Sequence, residues 1–376
     1  MIAGVLKEQL GENRVSLVPE IVKQLVKQGV TVWIEPDAGA RAYYPDDSYI
    51  QAGAAVKSAH EILQQADIIL SIQIPEQAAW QMIPPGKVVA GVYQPLYNAV
   101  LMQQWADRQL TTFSLDSIPR TTRAQSMDVL SSQANISGYK AVLLAAWKYS
   151  RYLPMFMTAA GSIAPAKVLI LGAGVAGLQA VATARRLGAV VEVFDTRPAV
   201  REEVMSLGAR FIEVEGAADA SAAGGYAVEQ SANYKEKQQA KIAESIAKAD
   251  IVITTAQIPG RKAPVLITTD MLEKMKAGSV IVDLAAATGG NTTRTENNDT
   301  VVHNGVTIIG DSNLPSSMPA DASKLYAKNV YNFLQLLIKE GDLVLNFSDD
   351  IVQGACITHS GTITNERLKQ AESVKP

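Results

Sequence analysis

The sequence predicts an α/β protein built from two Rossmann-like domains, each a doubly wound parallel sheet. Short apolar runs alternate with helical segments over residues 1–118 and again after residue 166. Alternation of this kind gives a parallel sheet with helices on both faces. Two longer segments with helical apolar periodicity, residues 127–149 and 321–339, are expected to join the two domains. A cleft between the domains, facing the carboxyl ends of the strands, is then expected.

The clearest local signal is a glycine-rich turn. Four apolar residues at 168–171 precede glycines in the spacing G-x-G-x-x-G, and a helix is predicted over residues 178–187. In this spacing Gly172 permits a tight turn, Gly174 lets the backbone approach a pyrophosphate, and Gly177 lets helix and strand pack closely. The start of the helix offers free N–H groups to phosphates. We predict a dinucleotide site, the alternative being an ordinary strand–turn–helix.

The next apolar run, residues 190–194, ends at Asp195. A carboxylate about 20 residues after the glycines hydrogen-bonds a ribose 2′-hydroxyl and would repel a 2′-phosphate. This position favours NAD over NADP. Arg197 leaves the choice open, because an arginine here could receive that phosphate.

Composition narrows the functional classes. The length of 376 residues suggests about two domains, and a formal net charge of -3 does not indicate nucleic-acid binding. A single cysteine, Cys356, excludes an internal disulfide and suits a reducing compartment. No apolar run approaches the ~20 residues of a membrane span, and the N-terminus lacks a signal-peptide pattern. We therefore expect a soluble protein without a metal, which reaches any membrane through partners.

Further elements follow from capping residues and apolar runs. Strands are predicted at 30–34, 68–72, 88–92, 111–115, 210–214, 251–255 and 280–284, and helices at 20–28, after Ser58, from the cap Asn98 to 108, and at 200–207, 239–248 and 271–276. The Gly/Ala-rich residues 216–225, followed by Tyr226, predict a mobile loop, with a disordered insertion as the alternative. The predicted domains are residues 1–126, completed by 320–376, and residues 127–319.

A polar segment at residues 120–134 offers donors and acceptors suited to a nicotinamide carboxamide and ribose. If a helix begins near Gln125, then Gln125, Asp128 and Ser131 share one face, because residues three apart are neighbours. Arg120, in the preceding loop, could reach the same place. The alternative is that Gln125 and Asp128 only cap a helix. Spacing alone does not choose between the two.

The same segment carries a specific resemblance. The run R-T-T-R-A-Q-S-M-D-V-L-S-S-Q-A-N-I-S-G-Y-K-A-V resembles the signature of the NAD-binding first domain of proton-translocating nicotinamide nucleotide transhydrogenase, in the alanine dehydrogenase/transhydrogenase superfamily. The resemblance extends over nearly the whole chain, with further matches at 6–8, 12–15, 224–226, 256–260, 282–285 and 289–291. It is closest to a separate soluble alpha-subunit polypeptide.

The resemblance implies roles for individual residues. Arg120 would bind the nicotinamide carboxamide, Gln125 would contact the nicotinamide ribose and face a second nucleotide, and Asp128 and Ser131 would fix the ring. The implied cofactor-binding residues, with Tyr226 folding over the nucleotide, are Gly172, Gly174, Val175, Gly177, Asp195, Thr196, Arg197, Gly225, Tyr226, Gln238 and Gln257. The family places Arg197 at the adenosine end of NAD.

The implied activity is direct hydride transfer from NADH on this chain to NADP+ held by a partner domain. Membrane-embedded partners would translocate protons, and this chain would be a homodimer, peripheral to the membrane on its cytoplasmic side. It would bind NAD(H) alone but sustain no NADP-linked reaction by itself. A module that only senses NAD is a further possibility.

The main alternative is an alanine dehydrogenase, which resembles the chain in its two-lobed fold and in Arg14. That reaction passes through an imine and needs proton transfers. Where the rival has a lysine, a histidine and a second aspartate, this sequence has Gln73, Gln94-Pro95 and Ala287. Hydride transfer between two nicotinamides needs no such groups. Arg14 is either a surviving carboxylate-binding arginine or a structural ion pair.

Overall fold

The computed structural model describes residues 1–214 and 231–373, with the backbone alone at residue 232 and at residues 371–373. The chain folds into two compact units. The first unit contains Met1–Gln133 and the chain from Pro315 onward, and the second unit contains Ala134–Leu314.

The strands of the described residues alternate with helices over most of the chain. In order they are β1 (Ile2–Val5), β2 (Thr31–Ile34), β3 (Ala55–Val56), β4 (Ile68–Leu70), β5 (Val88–Gly91), β6 (Thr111–Ser114), β7 (Phe156–Thr158), β8 (Gly161–Ile163), β9 (Lys167–Leu171), β10 (Val190–Phe194), β11 (Arg210–Phe211), β12 (Ile251–Thr254), β13 (Val280–Asp283), β14 (Thr300–His303), β15 (Val306–Ile309), β16 (Ile338–Lys339), β17 (Asp342–Leu343), β18 (Cys356–His359) and β19 (Thr362–Ile363).

The α-helices are α1 (Pro19–Lys27), α2 (Asp46–Gln51), α3 (Ala59–Gln65), α4 (Gln77–Trp80), α5 (Ala99–Asp107), α6 (Val129–Lys148), α7 (Val175–Arg186), α8 (Arg201–Ser206), α9 (Ala232–Ile246), α10 (Thr269–Glu273), α11 (Pro319–Leu334), α12 (Asp350–Ala355) and α13 (Glu366–Ser373). Helix α6 contains the first boundary between the units, and α11 begins shortly after the second. Among the described residues, no helix combines the length and the apolar character needed to cross a membrane.

The first unit is built on an eight-stranded sheet in the order β19-β18-β6-β5-β4-β1-β2-β3. Strands β1 to β6 are parallel, and the C-terminal hairpin β18–β19 adds an antiparallel edge beside β6. The side chains of β4 are buried on both faces, with Ile68 and Leu70 in one core and Ile69 in another. Helices therefore cover both faces, which explains the continuous apolar run.

The second unit is built on a seven-stranded sheet in the order β11-β10-β9-β12-β13-β15-β14. It is parallel except for β14, which pairs antiparallel with β15. The side chains of β9 alternate between two cores, with Val168 and Ile170 on one face and Leu169 and Leu171 on the other. The prediction of an α/β protein with two doubly wound, mainly parallel sheets is confirmed.

Local capping explains several helix starts. Ser58 and Glu61 form a reciprocal capping box at the start of α3, and Pro19 occupies the first position of α1. Asn98 precedes α5 as predicted, but the expectation that it caps the helix is wrong. Its side-chain amide donates instead to the carbonyl oxygens of Tyr93 and Gln94.

Three predicted boundaries need correction. The helix predicted over 321–339 ends at Leu334, and β16 and β17 then form a hairpin whose turn holds Glu340 and Gly341 at positive φ. The strand predicted over 210–214 ends at Phe211. The helix predicted from residue 239 begins at Ala232, since the Ser231 side chain accepts the Tyr234 N–H at 3.2 Å. Tertiary packing and a serine cap override the apolar periodicity at these points.

Candidate functional site

The glycine turn lies at the carboxyl end of β9. Gly172 has φ +106°, and a Cβ atom there would lie 2.3 Å from the hydroxyl oxygen of Thr255. Only glycine suits both constraints. Gly177 lies in the first turn of α7, where a Cβ atom would come within 1.9 Å of the Gly172 carbonyl oxygen. The turn is therefore tight, and the helix packs directly on the strand, as the spacing predicts.

Gly174 is the N-cap residue of α7 and differs from the other two glycines. Its φ of -78° is accessible to any residue, and no heavy atom lies within 4 Å of the position a Cβ atom would take. Val175, the first residue of α7, is 41% exposed. The backbone of the turn is thus open at the positive end of a twelve-residue helix, and this suits the approach of a phosphate group.

Asp195 links the end of β10 to this turn. Its carboxylate accepts the Ala173 N–H at 2.7 Å and pairs with Arg197, whose Nε and Nη2 donate at 2.9 Å and 2.8 Å. The Asp195 side chain is 6% exposed and that of Arg197 is 19% exposed. Hydrogen bonding to the Asp195 carboxylate raises the pKa of Arg197. A guanidinium already paired with a carboxylate is poorly placed to receive a 2′-phosphate.

Other predicted site residues lie on neighbouring elements. Thr196 is half-buried, directly after Asp195, and Gln238 is buried on α9. Burial raises the pKa of Tyr234, also on α9, and the negative charge of Asp195 raises it further, which places α9 near that carboxylate. Gly225 and Tyr226, with the predicted mobile loop, lie outside the described residues.

Gln257 is exposed just after β12, and its Nε2 donates to the Leu284 carbonyl oxygen at 2.8 Å. Thr255 joins this segment to the glycine turn. Its N–H donates to the Leu171 carbonyl at 2.9 Å, and its hydroxyl donates to the Gly172 carbonyl at 3.2 Å. The structure therefore brings together the ends of β9, β10 and β12, as expected for parallel strands.

The polar segment at residues 120–134 begins in the first unit. A 3₁₀-helix spans Thr122–Met127, and α6 begins only at Val129. The expectation that a helix begins near Gln125 is therefore wrong. Asp128 caps α6, because its carboxylate accepts the N–H and the hydroxyl of Ser131 at 2.9 Å and 2.6 Å. Arg120 and Gln125 are exposed. The capping interpretation holds for Asp128, and the nicotinamide roles remain predictions.

Arg14 is buried in the first unit. Its Nε and Nη2 donate to the two carboxylate oxygens of Glu12 at 2.8 Å and 2.6 Å, and its Nη1 donates to Gln133 at 2.8 Å. Gln73, found where the rival has a lysine, donates to Glu12 at 3.2 Å. Arg14 is 8% exposed and Glu12 is fully buried. This geometry supports the structural ion pair over a substrate-binding arginine.

Two features were missed by reasoning from the residues. Gly138, in the middle of α6, allows close packing, since a Cβ atom there would lie 2.0 Å from the Ala176 carbonyl oxygen at the start of α7. A glycine inside a helical pattern was the available signal. The other feature is a buried network around Asn291, which the sequence marked only through resemblance. Within residues 1–214 and 231–373, no group of three His, Cys, Asp or Glu side chains is arranged to hold a metal ion.

Comparisons with known proteins agree with this architecture. Residues 4–137 match the N-terminal domain model of the alanine dehydrogenase/PNT family, and residues 141–366 match its C-terminal domain model. The chain is 44% identical to the first of the polypeptides that form NAD(P) transhydrogenase subunit alpha in Rickettsia prowazekii, over 97% of this chain and 96% of that polypeptide.

Solved structures give the same result. A transhydrogenase structure from Sinorhizobium meliloti is 46% identical with a TM-score of 0.88, covering 96% of this chain and 100% of that one. An L-alanine dehydrogenase structure is more distant, at 25% identity and a TM-score of 0.84, with 99% of both chains covered. The chain belongs to the alanine dehydrogenase/PNT family and, within it, to the alpha subunits of NAD(P) transhydrogenase.

Proposed function

We propose that this chain is the NAD(H)-binding component of a proton-translocating transhydrogenase. It presents NADH for direct hydride transfer to NADP+ held by a partner domain. The observation that carries this proposal is the open glycine turn at the start of α7, with Asp195 paired to Arg197 beside it. When bound, NADH supplies the hydride from C4 of its nicotinamide ring.

The second unit binds the pyrophosphate and adenosine. The N–H groups around Gly174 and Val175 meet the pyrophosphate at the N-terminus of α7. Asp195 accepts a hydrogen bond from the adenosine ribose, which is the basis of a preference for NAD over NADP. Arg197 keeps that carboxylate in place through its paired N–H groups. Thr196, Gln238 and Gln257 complete the lining, with Gly225 and Tyr226.

The nicotinamide end is held by the segment around the start of α6. Arg120 binds the carboxamide, and Gln125 contacts the nicotinamide ribose and faces the second nucleotide. Asp128 and Ser131 fix the ring orientation, and their mutual hydrogen bonds hold both side chains in one conformation. Orientation and proximity supply most of the rate, because no proton has to move with the hydride.

The chemistry of an amino-acid dehydrogenase is disfavoured by the first unit. That reaction needs a cation for the substrate carboxylate and groups that transfer protons. Arg14 is engaged by Glu12 and Gln133, and the neutral Gln73 takes the place of a lysine. A site without these groups also protects NADH from reducing stray carbonyl compounds.

The Rickettsia relative is named as one portion of an alpha subunit, which implies that transhydrogenases of this kind have further polypeptides. We propose that this chain is a homodimer on the cytoplasmic side. Its partners are an NADP-binding domain and a membrane-embedded subunit that translocates protons, and it is peripheral to the membrane through them.

Isotope transfer between nucleotides tests the proposal. The purified chain is mixed with a transhydrogenase NADP-binding domain, NADP+ and NADH deuterated at C4, and the NADPH is examined by mass spectrometry. We expect label in NADPH only when both proteins are present. NADH binding without label transfer would indicate a sensing module. Turnover of NADH with pyruvate and ammonium would indicate an amino-acid dehydrogenase.

Variants of the polar segment separate anchoring from orientation. Gln125→Ala and Arg120→Ala should slow label transfer more than they weaken NADH binding. Arg123→Ala is the matched control, because Arg123 pairs with Asp349 on the surface and has no assigned role. If the two test variants lose binding and transfer in equal measure, these residues only anchor the nucleotide.

A further inference from the structure

We propose that Asn291 is a positioning residue that fixes the backbone of residues 255–257 beside the glycine turn. This inference rests on the proposed function, since it concerns the same nucleotide site. Asn291 itself is fully buried in the second unit, so it acts through the segment that it holds rather than on the nucleotide directly.

The side-chain amide of Asn291 pairs with the backbone of Ala256 in both directions. Its oxygen accepts the Ala256 N–H at 3.0 Å, and its nitrogen donates to the Ala256 carbonyl at 2.8 Å. The same nitrogen donates to the Pro264 carbonyl at 2.8 Å. Strand β12 ends at Thr254, so Ala256 lies beyond the regular sheet. The amide therefore supplies the donor and acceptor that a neighbouring strand would otherwise provide.

Asn291 is in turn held by Asp283 at the end of β13. The Asp283 carboxylate is fully buried, accepts the Asn291 N–H at 2.6 Å and accepts the Thr295 hydroxyl at 2.6 Å. Gly290 has φ +77°, and a Cβ atom there would lie 2.9 Å from the same carboxylate. The Asn291 carbonyl accepts the N–H groups of Leu266 and Ile267. Each polar group of Asn291 thus has a partner, which fixes its orientation.

The held segment reaches the nucleotide site at both ends. Thr255 contacts the glycine turn through the Leu171 and Gly172 carbonyls. Gln257, a proposed lining residue, is tied to Leu284. Loss of the Asn291 amide would free Ala256 between these two contacts, so the site would lose shape before the sheet is affected.

The test compares variants by NADH titration and thermal melting. Asn291→Asp keeps the shape but removes both donors and sets an oxygen against two carbonyls, and Asn291→Ser is the milder change. Each should weaken NADH binding by about tenfold or more. Thr295→Val is the matched control, because it removes one hydrogen bond to Asp283 and leaves the amide contacts intact. It should lower the Tm with less than a twofold change in Kd.

A double-mutant cycle separates positioning from general destabilisation. If Asn291 acts through residues 255–257, then Gln257→Ala should add little to the loss already caused by Asn291→Ser. Full additivity of the two losses, or unchanged NADH affinity in Asn291→Ser well below its Tm, would overturn the inference while leaving NAD(H) binding intact. Failure of the unmutated chain to bind NADH would instead refute the proposed function.

Discussion

The two units have the same strand order around their first strand, yet they use the resulting crevice in opposite ways. In each sheet the chain leaves the first strand, adds two strands on one side and then crosses to the other. The crevice lies between β1 and β4 in the first unit and between β9 and β12 in the second. Ligands bind at such points in open α/β sheets.

In the first unit the chain fills this place with its own side chains. The Glu8 carboxylate accepts the N–H groups of Ile72 and Gln73, just after β4, where an anionic ligand would otherwise bind. In the second unit the turn after β9 has glycines and leaves open space at Gly174. The loops, and not the fold, therefore decide which unit can take a nucleotide.

The largest expected effect comes from unpairing the charges of the first unit. Glu12→Gln leaves the Arg14 guanidinium buried without its counter-charge, and we expect the free energy of unfolding to fall by about 3–5 kcal/mol. Urea denaturation measures this. The control is Glu61→Gln, which affects an exposed pair with Lys57 and should change stability little. Equal effects in the two variants would mean that the Glu12–Arg14 pair contributes no more than a surface pair.

The glycine turn should be next in sensitivity. Gly177→Ala places a methyl group against the Gly172 carbonyl, so helix α7 must move away from β9. We expect a loss of about 3 kcal/mol in unfolding free energy, together with loss of NADH binding. Unchanged stability by urea denaturation would show that the close packing at this glycine is not required.

The filled crevice should respond to pH. Burial raises the pKa of Glu8 from 4.5 to about 7. The folded state thus holds this proton more tightly than the unfolded state, so its stabilising effect is complete below pH 4.5 and is lost as pH rises through about 7. Relative to Glu8→Gln, the unmutated chain should lose about 2–3 kcal/mol between pH 4.5 and pH 8. A stability difference independent of pH would contradict this assignment.

The smallest effect on the protein itself is expected at the open glycine. Gly174→Ala has an ordinary φ and no neighbour to strike, so the Tm should not change. The methyl group would instead occupy the space needed by the pyrophosphate. We expect NADH to bind about tenfold more weakly, a loss of about 1.4 kcal/mol. Isothermal titration would decide, and unchanged affinity would place the pyrophosphate elsewhere.

Local features of the second unit were predictable because their causes are local. Strand β10 has its predicted bounds, and the glycine turn follows β9 as the spacing indicates. Helix α9 was harder to predict, since Lys, Glu and Gln dominate its sequence and its start depends on Ser231. The hairpin β7–β8 and the strands β14 to β19 are short, and their pairing depends on partners distant in the chain.

The sequence by itself determined the fold class, the glycine turn and the position of Asp195, because periodicity and spacing are properties of neighbouring residues. Only the tertiary structure decided how the polar side chains are used. It paired Arg197 with Asp195, enclosed Arg14 with Glu12 and joined Asn291 to Ala256. Two of these pairings span few residues, yet burial gives them their meaning, since a charge or amide removed from water must find a partner wherever the fold provides one.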